Sequence, residues 1–293
     1  MRALFVSNLY PPDYLGGYEI LCAQVRDELR TRGHEISVLT SAPAGAPPDP
    51  ASEPGVRRDL RLIRDFQQPY GNERLPKALT TRANYRAARA LLARERPEIV
   101  FVWSQLRLSL GAARAAHDAR IPVAYTMNDM HPASYAAARF GLSPRRLARY
   151  ALETLLLPGA CLPSLDLSHA TCISRSLQDR LVAAGVPVAE ARVIYQGIPI
   201  DRFPEKPAPG GLGDPLRLLF VGQLHAYKGV HTLLEAFAPA SALSTRELQL
   251  TIVGEGPQDY VQRLRSLADE APGRVSFSDK VPYDELPAVY REH

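Results

Sequence analysis

The sequence predicts an α/β protein of two domains, each built from alternating buried strands and amphipathic helices. The first observation is a strand, a glycine-containing loop, a helix and a second strand within residues 3–39, which is the pattern of a βαβ unit. The second is a stretch dense in proline and glycine at residues 203–215, which predicts an interdomain linker. The third is a new strand–turn–helix pattern that begins at Leu216. Together they predict a first domain over residues 1–202 and a second over residues 216–293.

The first domain should hold one parallel sheet covered by helices. Leu21, Val25 and Leu29 mark the buried face of its first helix, with Arg26 on the outer side and Gly33 at the end. Further apolar patterns predict strands at residues 3–7, 36–39, 60–66, 99–103, 123–127, 170–173 and 193–195, and helices at residues 77–94, 106–119, 143–157 and 174–184. Because open α/β sheets bind ligands at the carboxyl ends of their strands, polar residues at those ends are the candidate site residues.

The second domain opens with an apolar run at residues 218–221, which Gly222 stops. A polar turn follows, and apolar residues then recur at helical spacing, namely Val230, Leu233, Leu234 and Phe237. Strands are predicted again at residues 248–253 and 274–277. About three strand–helix units are too few to close a doubly wound sheet. We therefore expect this domain to pack against the first one or to be part of a longer protein.

The composition is that of an ordinary globular protein with a mild excess of positive charge. Hydrophobic residues make up 46% and charged residues 23% of the 293, and the formal net charge is +4. The arginines are spread along helices, which argues against nucleic-acid binding and favours an anionic small ligand or an anionic membrane surface. Cys22, Cys161 and Cys172 have no metal-like spacing and are odd in number, so we expect no disulfide framework and a reducing cytosol.

The sequence predicts neither a secretory signal nor a membrane-spanning segment. Its first residues form a strand pattern, and the longest apolar stretch, residues 151–165, is interrupted by Glu153, Pro158, Gly159 and Pro163. The predicted helix at 143–157 is basic and amphipathic and could lie on an anionic membrane surface. A solvated basic face on a core helix is the simpler interpretation. We expect a cytoplasmic protein that could be peripheral to the membrane.

Gly16 and Gly17 lie between the first strand and the first helix. Glycines allow the backbone to approach a ligand closely, and the N–H groups of a helix N-terminus can bind phosphate. The alternative is a plain turn that needs positive φ. The loop is not a G-x-G-x-x-G sequence, so a dinucleotide fingerprint is absent.

The turn after Gly222 predicts a second anion site, because Lys228 adds a full charge beside free N–H groups at a helix N-terminus. A solvated lysine is the alternative, although the helix dipole disfavours a cation at this end. Gly254, Glu255 and Gly256 also follow a strand and precede a helix, but a lone G-x-G is weak support for a ligand site.

Asn128, Asp129 and His131 form a polar cluster after the strand at 123–127. Asn128 can form hydrogen bonds but cannot do acid–base chemistry, and His131 could equally be a plain loop residue before Pro132. Ser174 is best explained as a helix N-cap, and residues 196–200 as the edge of a cleft between the domains.

Several stretches resemble the retaining glycosyltransferases of family 4. They are "FVSNLYPPDYLGGYE", "RGHEISVLT", "NDMH", "CISRSLQDRL", "VIYQGIPIDRF", "LLFVGQLHAYKGVHTLLEAF", "LTIVGEGP" and "VSFSDKVPYDELPAVYRE". The resemblance implies a GT-B fold of two Rossmann-like domains, the second of them incomplete. The family's E-x7-E donor motif is absent, so we expect a chain truncated within its donor domain.

The resemblance also implies a function in polysaccharide biosynthesis. A hexosyl group would pass from a nucleotide sugar to a glycan, lipid-linked or small-molecule acceptor with retention. The implied donor-binding residues are Gly16, Gly17, Gly222, Gln223, Lys228, Gly254, Glu255 and Gly256, and the implied catalytic residues are Lys228, Asn128, Asp129 and His131. No D-x-D motif occurs, so no divalent metal is implied, and the nucleotide sugar is a co-substrate with no further cofactor.

Two residues depart from the family pattern. Gln223 stands where the family usually has arginine, and it carries no charge for a diphosphate. Asn128 stands where the family often has histidine. These departures leave open a non-catalytic, truncated or degenerate GT-B fragment that binds nucleotide or a partner protein. A sugar-nucleotide epimerase would need more carboxylates and histidines in the cleft than the sequence offers.

Overall fold

The computed structural model describes residues 1–42, 53–64, 66, 74–136, 144, 148, 165–203, 205, 215–270 and 274–293. The chain divides into two compact units, Met1–Gly197 and Ile198–His293. The predicted linker at 203–215 and the predicted basic helix at 143–157 lie almost entirely outside the described residues.

The first unit is organised around a parallel sheet of seven described strands in the order β3-β2-β1-β4-β5-β6-β7. The strands are β1 (Arg2–Val6), β2 (Glu35–Ser41), β3 (Val56–Leu60), β4 (Ile99–Val102), β5 (Val123–Met127), β6 (Ala170–Cys172) and β7 (Arg192–Val193). The helices are α1 (Gly17–Thr31), α2 (Arg74–Glu95), α3 (Gly111–Asp118) and α4 (Arg175–Ala183). The strand order changes direction between β1 and β4, which is where ligands bind in such sheets.

The sheet is buried on both faces, as its continuous apolar strands require. In β1, Leu4 and Val6 belong to one apolar cluster, whereas Ala3 and Phe5 belong to the cluster on the opposite face. This alternation follows from the two-residue period of a strand. Both faces are therefore occupied, and only the strand ends remain to carry polar site residues.

Two sequence-based boundaries in this unit are wrong. The strand predicted at 60–66 lies earlier, at β3, of which only Val56 and Leu60 are buried. Hydrogen bonds to β2, rather than an apolar pattern, stabilise this segment as a strand. The helix predicted at 106–119 begins only at Gly111, because Arg107 and Ser109 have positive φ and cannot be helical. A Cβ on Gly111 would lie 2.3 Å from the Thr81 carbonyl oxygen, so glycine allows α3 to approach α2 closely.

The second unit is smaller. It has a parallel three-stranded sheet in the order β10-β9-β8, formed by β8 (Leu216–Val221), β9 (Leu248–Val253) and β10 (Val275–Ser278). Its helices are α5 (Val230–Leu243), α6 (Gln258–Ala268) and α7 (Leu286–Glu292). Val230, Leu234 and Phe237 of α5 are buried against the sheet, which confirms the predicted helix face. Both units thus have the predicted α/β architecture of two Rossmann-like domains, with the second one smaller.

Among the described residues, no helix combines the length and the apolar character needed to cross a bilayer.

Candidate functional site

The loop that carries Gly16 and Gly17 joins β1 to α1. Gly16 is extended at φ −156°, and neither glycine has positive φ, so the plain-turn explanation is wrong. A Cβ added at either position would meet nothing within 4 Å. No contact in the described part of the chain therefore requires these glycines, and the space beside them is open.

Glu19 closes the N-terminus of α1. Its Oε2 accepts a hydrogen bond of 3.0 Å from the Gly16 N–H, which is the return bond of a capping box. The residue is fully buried, and burial raises the pKa of its carboxyl against the opposing hydrogen bonds from backbone N–H groups. We missed this residue in the sequence, although an acid three positions after the cap is a recognised signal.

The raised pKa of Glu19 predicts a pH-dependent stability. The folded state holds a proton that the unfolded chain releases at the same pH, so the free energy of unfolding should fall as pH rises above the ordinary carboxyl range. Glu19→Gln should remove this fall while keeping an acceptor for the Gly16 N–H. Urea unfolding at pH 4.5 and 7.5 measures the difference, with Glu28→Gln on the exposed side of the same helix as control. An equal pH dependence in Glu19→Gln and wild type would contradict the prediction.

Two arginines brace the same loop. Arg26 is only 1% exposed and donates to the Tyr10 hydroxyl at 3.2 Å, and it also pairs with Glu53. Its predicted place on the outer side of α1 is therefore wrong, because Glu53 and the Pro54 carbonyl, just before β3, contact its guanidinium. Arg58 on β3 donates to the carbonyl oxygens of Tyr10 and Pro11 and pairs with Asp13 at 3.2 Å. The loop before Gly16 is thus held from two sides.

The start of α1 is also tied to the end of β4. The indole N–H of Trp103 donates to the Tyr18 carbonyl at 2.8 Å, and the Asn8 amide donates to the Tyr18 hydroxyl at 2.9 Å. Burial raises the pKa of the Tyr18 hydroxyl far above its ordinary value, so it remains a neutral hydrogen-bonding group.

The polar cluster after β5 adopts a defined arrangement. Asn128 donates from Nδ2 to the Trp103 carbonyl at 2.8 Å and accepts at Oδ1 from Nε2 of Gln196 at 2.9 Å. Asp129 accepts the His131 backbone N–H at 2.7 Å, and burial raises the pKa of its carboxyl. His131 opens a short 3₁₀ turn, His131–Tyr135. These residues line a small cavity with Trp103. Gln196, which follows β7, contacts the cavity lining through its hydrogen bond to Asn128.

Ser174 accepts the Leu177 N–H at 3.1 Å and is the N-cap of α4. The N-cap interpretation is confirmed.

In the second unit, the turn after β8 presents Lys228. The lysine is exposed and forms no ion pair with any described residue, and its Nζ lies 5.4 Å from the Tyr227 ring. The Tyr227 hydroxyl donates to Oε1 of Gln223 at 2.8 Å. Gly229, with φ of 73°, leads into α5 and has no side chain that could cap the helix. The His231 N–H in the first turn donates to the Tyr260 hydroxyl at 3.4 Å. A lysine beside the other N–H groups of a helix start is an arrangement that favours an anion.

Close backbone packing explains why residues 254 and 256 are glycines. A Cβ on Gly254 would lie 1.9 Å from the Gly222 carbonyl oxygen, and one on Gly256 would lie 2.0 Å from that of Leu224. The Leu224 N–H donates to the Glu255 carbonyl at 2.8 Å, so the two loops pair backbone to backbone. The side chain of Glu255 is exposed and lies 3.3 Å from Lys280.

Two family models match consecutive parts of the chain. Residues 15–202 match "Glycosyltransferase Family 4" and residues 202–293 match "Glycosyl transferases group 1". The chain belongs to glycosyltransferase family 4. The longer match covers most of the first unit. The second unit, which contains "VGQLHAYKG", matches the second model, in agreement with the resemblance of that stretch to the family.

Known proteins show the same relationship. Glycogen synthase of Mycobacterium tuberculosis (strain H37Rv) is 30% identical over 275 residues, which cover 88% of this chain and 62% of that protein. The chain therefore spans less than two thirds of the length of this relative. Among solved structures, Anabaena Alr3699/HepE in complex with UDP and glucose has a TM-score of 0.63 at 19% identity, covering 99% of this chain and 72% of its own.

Sucrose-phosphate synthase of Thermosynechococcus elongatus has a TM-score of 0.65 at 19% identity, covering 99% of this chain and 73% of its own. At these identities the two structures support the fold, and the family assignment rests on the family models.

Proposed function

We propose that this family 4 chain takes part in the transfer of a hexosyl group from a nucleotide sugar to a sugar hydroxyl. The observation that carries the proposal is Lys228, an exposed cation without an ion pair among the described residues, beside the start of α5, where Gly229 offers no side-chain cap. The helix dipole disfavours a cation at this end, so an anionic ligand would supply the missing stabilisation. The diphosphate of a nucleotide sugar has that charge.

The first unit supports the proposal at its own candidate site. Gly16 and Gly17 have open space where side chains would stand, and Glu19, Arg26 and Arg58 hold the loop in place. A braced loop with open space beside its glycines and a helix N-terminus next to it suits a phosphate or a sugar hydroxyl, with the Gly16 N–H itself bonded to Glu19. The UDP and glucose of the Anabaena HepE complex and the name of the mycobacterial glycogen synthase favour a nucleotide sugar and a saccharide as the two substrates.

The reaction course that we propose is retention without a divalent metal. Lys228 and backbone N–H groups would stabilise charge on the leaving diphosphate, which removes the need for a metal ion at that step. The acceptor hydroxyl would attack the anomeric carbon from the face that the diphosphate leaves. As the new C–O bond forms, the bond to the diphosphate breaks, and the hydroxyl proton would pass to the departing phosphate oxygen. Asp129 and His131 would bind and orient the acceptor. We also propose that the acceptor can be lipid-linked and that the chain can contact the membrane surface peripherally.

Donor binding and turnover test the proposal. The full chain is titrated calorimetrically with UDP and ADP, and then incubated with UDP-glucose and ADP-glucose while NMR follows donor hydrolysis and transfer to maltotriose. Binding of at least one nucleotide with release of its sugar supports the proposal. Nucleotide binding without any turnover favours a non-catalytic fragment, and no binding at millimolar concentration contradicts the donor site.

Gln223→Arg should strengthen nucleoside diphosphate binding. The neutral amide of Gln223 now accepts a bond from Tyr227, whereas a guanidinium would add a second cation and a forked donor to the turn. We expect affinity for UDP or ADP to rise about threefold to tenfold at low salt, because one charge-assisted hydrogen bond contributes about 1.5 kcal/mol or less at an exposed site. The control is Gln262→Arg, which adds the same charge at an exposed position on α6. Equal gains in both variants would contradict a local effect.

A further inference from the structure

A row of hydrogen bonds crosses the carboxyl edge of the first sheet from β4 to β7. It runs from the Trp103 carbonyl to the side chain of Asn128 at 2.8 Å, and from Asn128 to the side chain of Gln196 at 2.9 Å. Because β6 lies between β5 and β7, Gln196 spans the end of one strand to make this contact. The row therefore fixes an exposed side chain that would otherwise be mobile.

The direction of each amide in the row follows from the carbonyl at its start. A backbone carbonyl can only accept, so the group of Asn128 that faces Trp103 must be its NH₂. Oδ1 of Asn128 then faces Gln196, and Gln196 must donate from Nε2. Both ends of the Asn128 amide are engaged. Within the described part of the chain, the carbonyl oxygen and the second N–H of the Gln196 amide form no hydrogen bond and can meet a ligand.

The surroundings of the row favour a neutral ligand with hydroxyl groups. The small cavity beside Asn128 is lined by Ser104, Gln105, Thr126, Asp129 and His131 among others, and no lysine or arginine is among its described lining residues. Those described lining residues would therefore offer a phosphate no cation. A sugar hydroxyl, which both donates and accepts, matches the free oxygen and N–H of a carboxamide.

We propose that Gln196 is a specificity-determining residue that binds a hydroxyl of the acceptor saccharide, and that Asn128 is the positioning residue that aims it. The inference rests on the proposed function, because it takes a sugar as the acceptor. The proposal assigns the contact with the saccharide to Gln196, which lies 68 positions after Asn128 in the chain, and not to Asn128 itself. Gln196 would favour acceptors with a hydroxyl at the matching position and disfavour those without it.

Saccharide binding by the full chain tests this role. Maltotriose, glucose, galactose and mannose are titrated under saturation-transfer NMR, and UDP and ADP are titrated in parallel by calorimetry. Gln196→Leu should weaken the best-bound saccharide at least about fivefold, because it leaves a sugar hydroxyl without its partner. Gln196→Asn, shorter by one methylene, should weaken it as well. Neither variant should change the affinity for UDP or ADP or the urea midpoint.

Asn128→Asp separates positioning from contact. An aspartate places an oxygen against the Trp103 carbonyl, so the row should break and saccharide affinity should fall as in Gln196→Leu. The double variant Asn128→Asp/Gln196→Leu should then bind saccharide no more weakly than Gln196→Leu alone, because the two substitutions remove the same interaction. Additive losses would show that Asn128 acts independently and would overturn its positioning role.

Gln262→Leu, which removes an exposed glutamine from α6, is the matched control and should bind saccharide as wild type does. An unchanged saccharide affinity in Gln196→Leu would overturn the inference. So would a wild-type chain that binds UDP or ADP but none of the four saccharides, an outcome that leaves the proposed donor site intact. Saccharide binding that depends on Gln196, without nucleotide binding, would support the inference and contradict the donor site.

Discussion

Lys228→Ala should weaken the binding of UDP or ADP to this chain at least about tenfold. The lysine is exposed at the start of α5 and has no carboxylate partner among the described residues, so its removal breaks no ion pair there. The loss would come from one charge-assisted hydrogen bond to phosphate, which contributes about 1.5–3 kcal/mol. Isothermal titration of the full chain at low and moderate salt measures it.

The controls for this result separate a local contact from net charge. Lys228→Arg keeps the charge and should retain most of the affinity, although a guanidinium differs in shape from an ammonium group. Arg291→Ala, on α7, removes an equal charge from an exposed position. Equal losses in Arg291→Ala and Lys228→Ala would reduce the effect to long-range electrostatics and would contradict the assignment of a phosphate contact.

Gly256→Ala should destabilise the second unit by about 3 kcal/mol or more. Its Cβ would lie 2.0 Å from the Leu224 carbonyl oxygen and 2.9 Å from the Leu224 Cβ, so the two loops would have to separate. Overpacking of this kind costs about 1–3 kcal/mol, and here the loss of the loop pairing between Leu224 and Glu255 adds to it. Urea unfolding, followed by a probe within residues 198–293, measures the change.

Gly222→Ala is the matched variant on the partner loop. Its Cβ would meet only the Phe220 ring at 3.5 Å, which is an ordinary contact, so stability should change by less than about 1 kcal/mol. Gly254→Ala should be at least as harmful as Gly256→Ala, since Gly254 also has φ of 153°. A Gly256→Ala variant as stable as Gly222→Ala would contradict the backbone-packing explanation for this turn.

Most strands and helices could be predicted from the sequence, because the spacing of apolar residues is a local property. The strand at 123–127 and the strand at 248–253 match their predicted bounds. The misplaced β3 shows the limit of this approach. Its segment has only two buried apolar residues, and hydrogen bonding to β2 makes it a strand. A pattern within a segment cannot show that a neighbouring strand has an open edge.

The candidate site was predictable in part. Lys228 and the glycines were visible because a turn between a strand and a helix has a characteristic local composition. The sequence did not show why glycine stands at these positions, because both glycine pairs lie between a strand and a helix. They differ only in what lies beside them in the folded chain. Gly16 and Gly17 face open space, whereas Gly254 and Gly256 touch the backbone of another loop.

The sequence by itself determined the α/β class, the two units, the family and the turn with Lys228. Each of these depends on residues close together along the chain. Only the tertiary structure decided that Arg26 is buried, that Arg58 holds the loop before Gly16, and that Gln196 meets Asn128. These contacts join residues 16 to 68 positions apart, so they exist only once the sheet has brought the strand ends together.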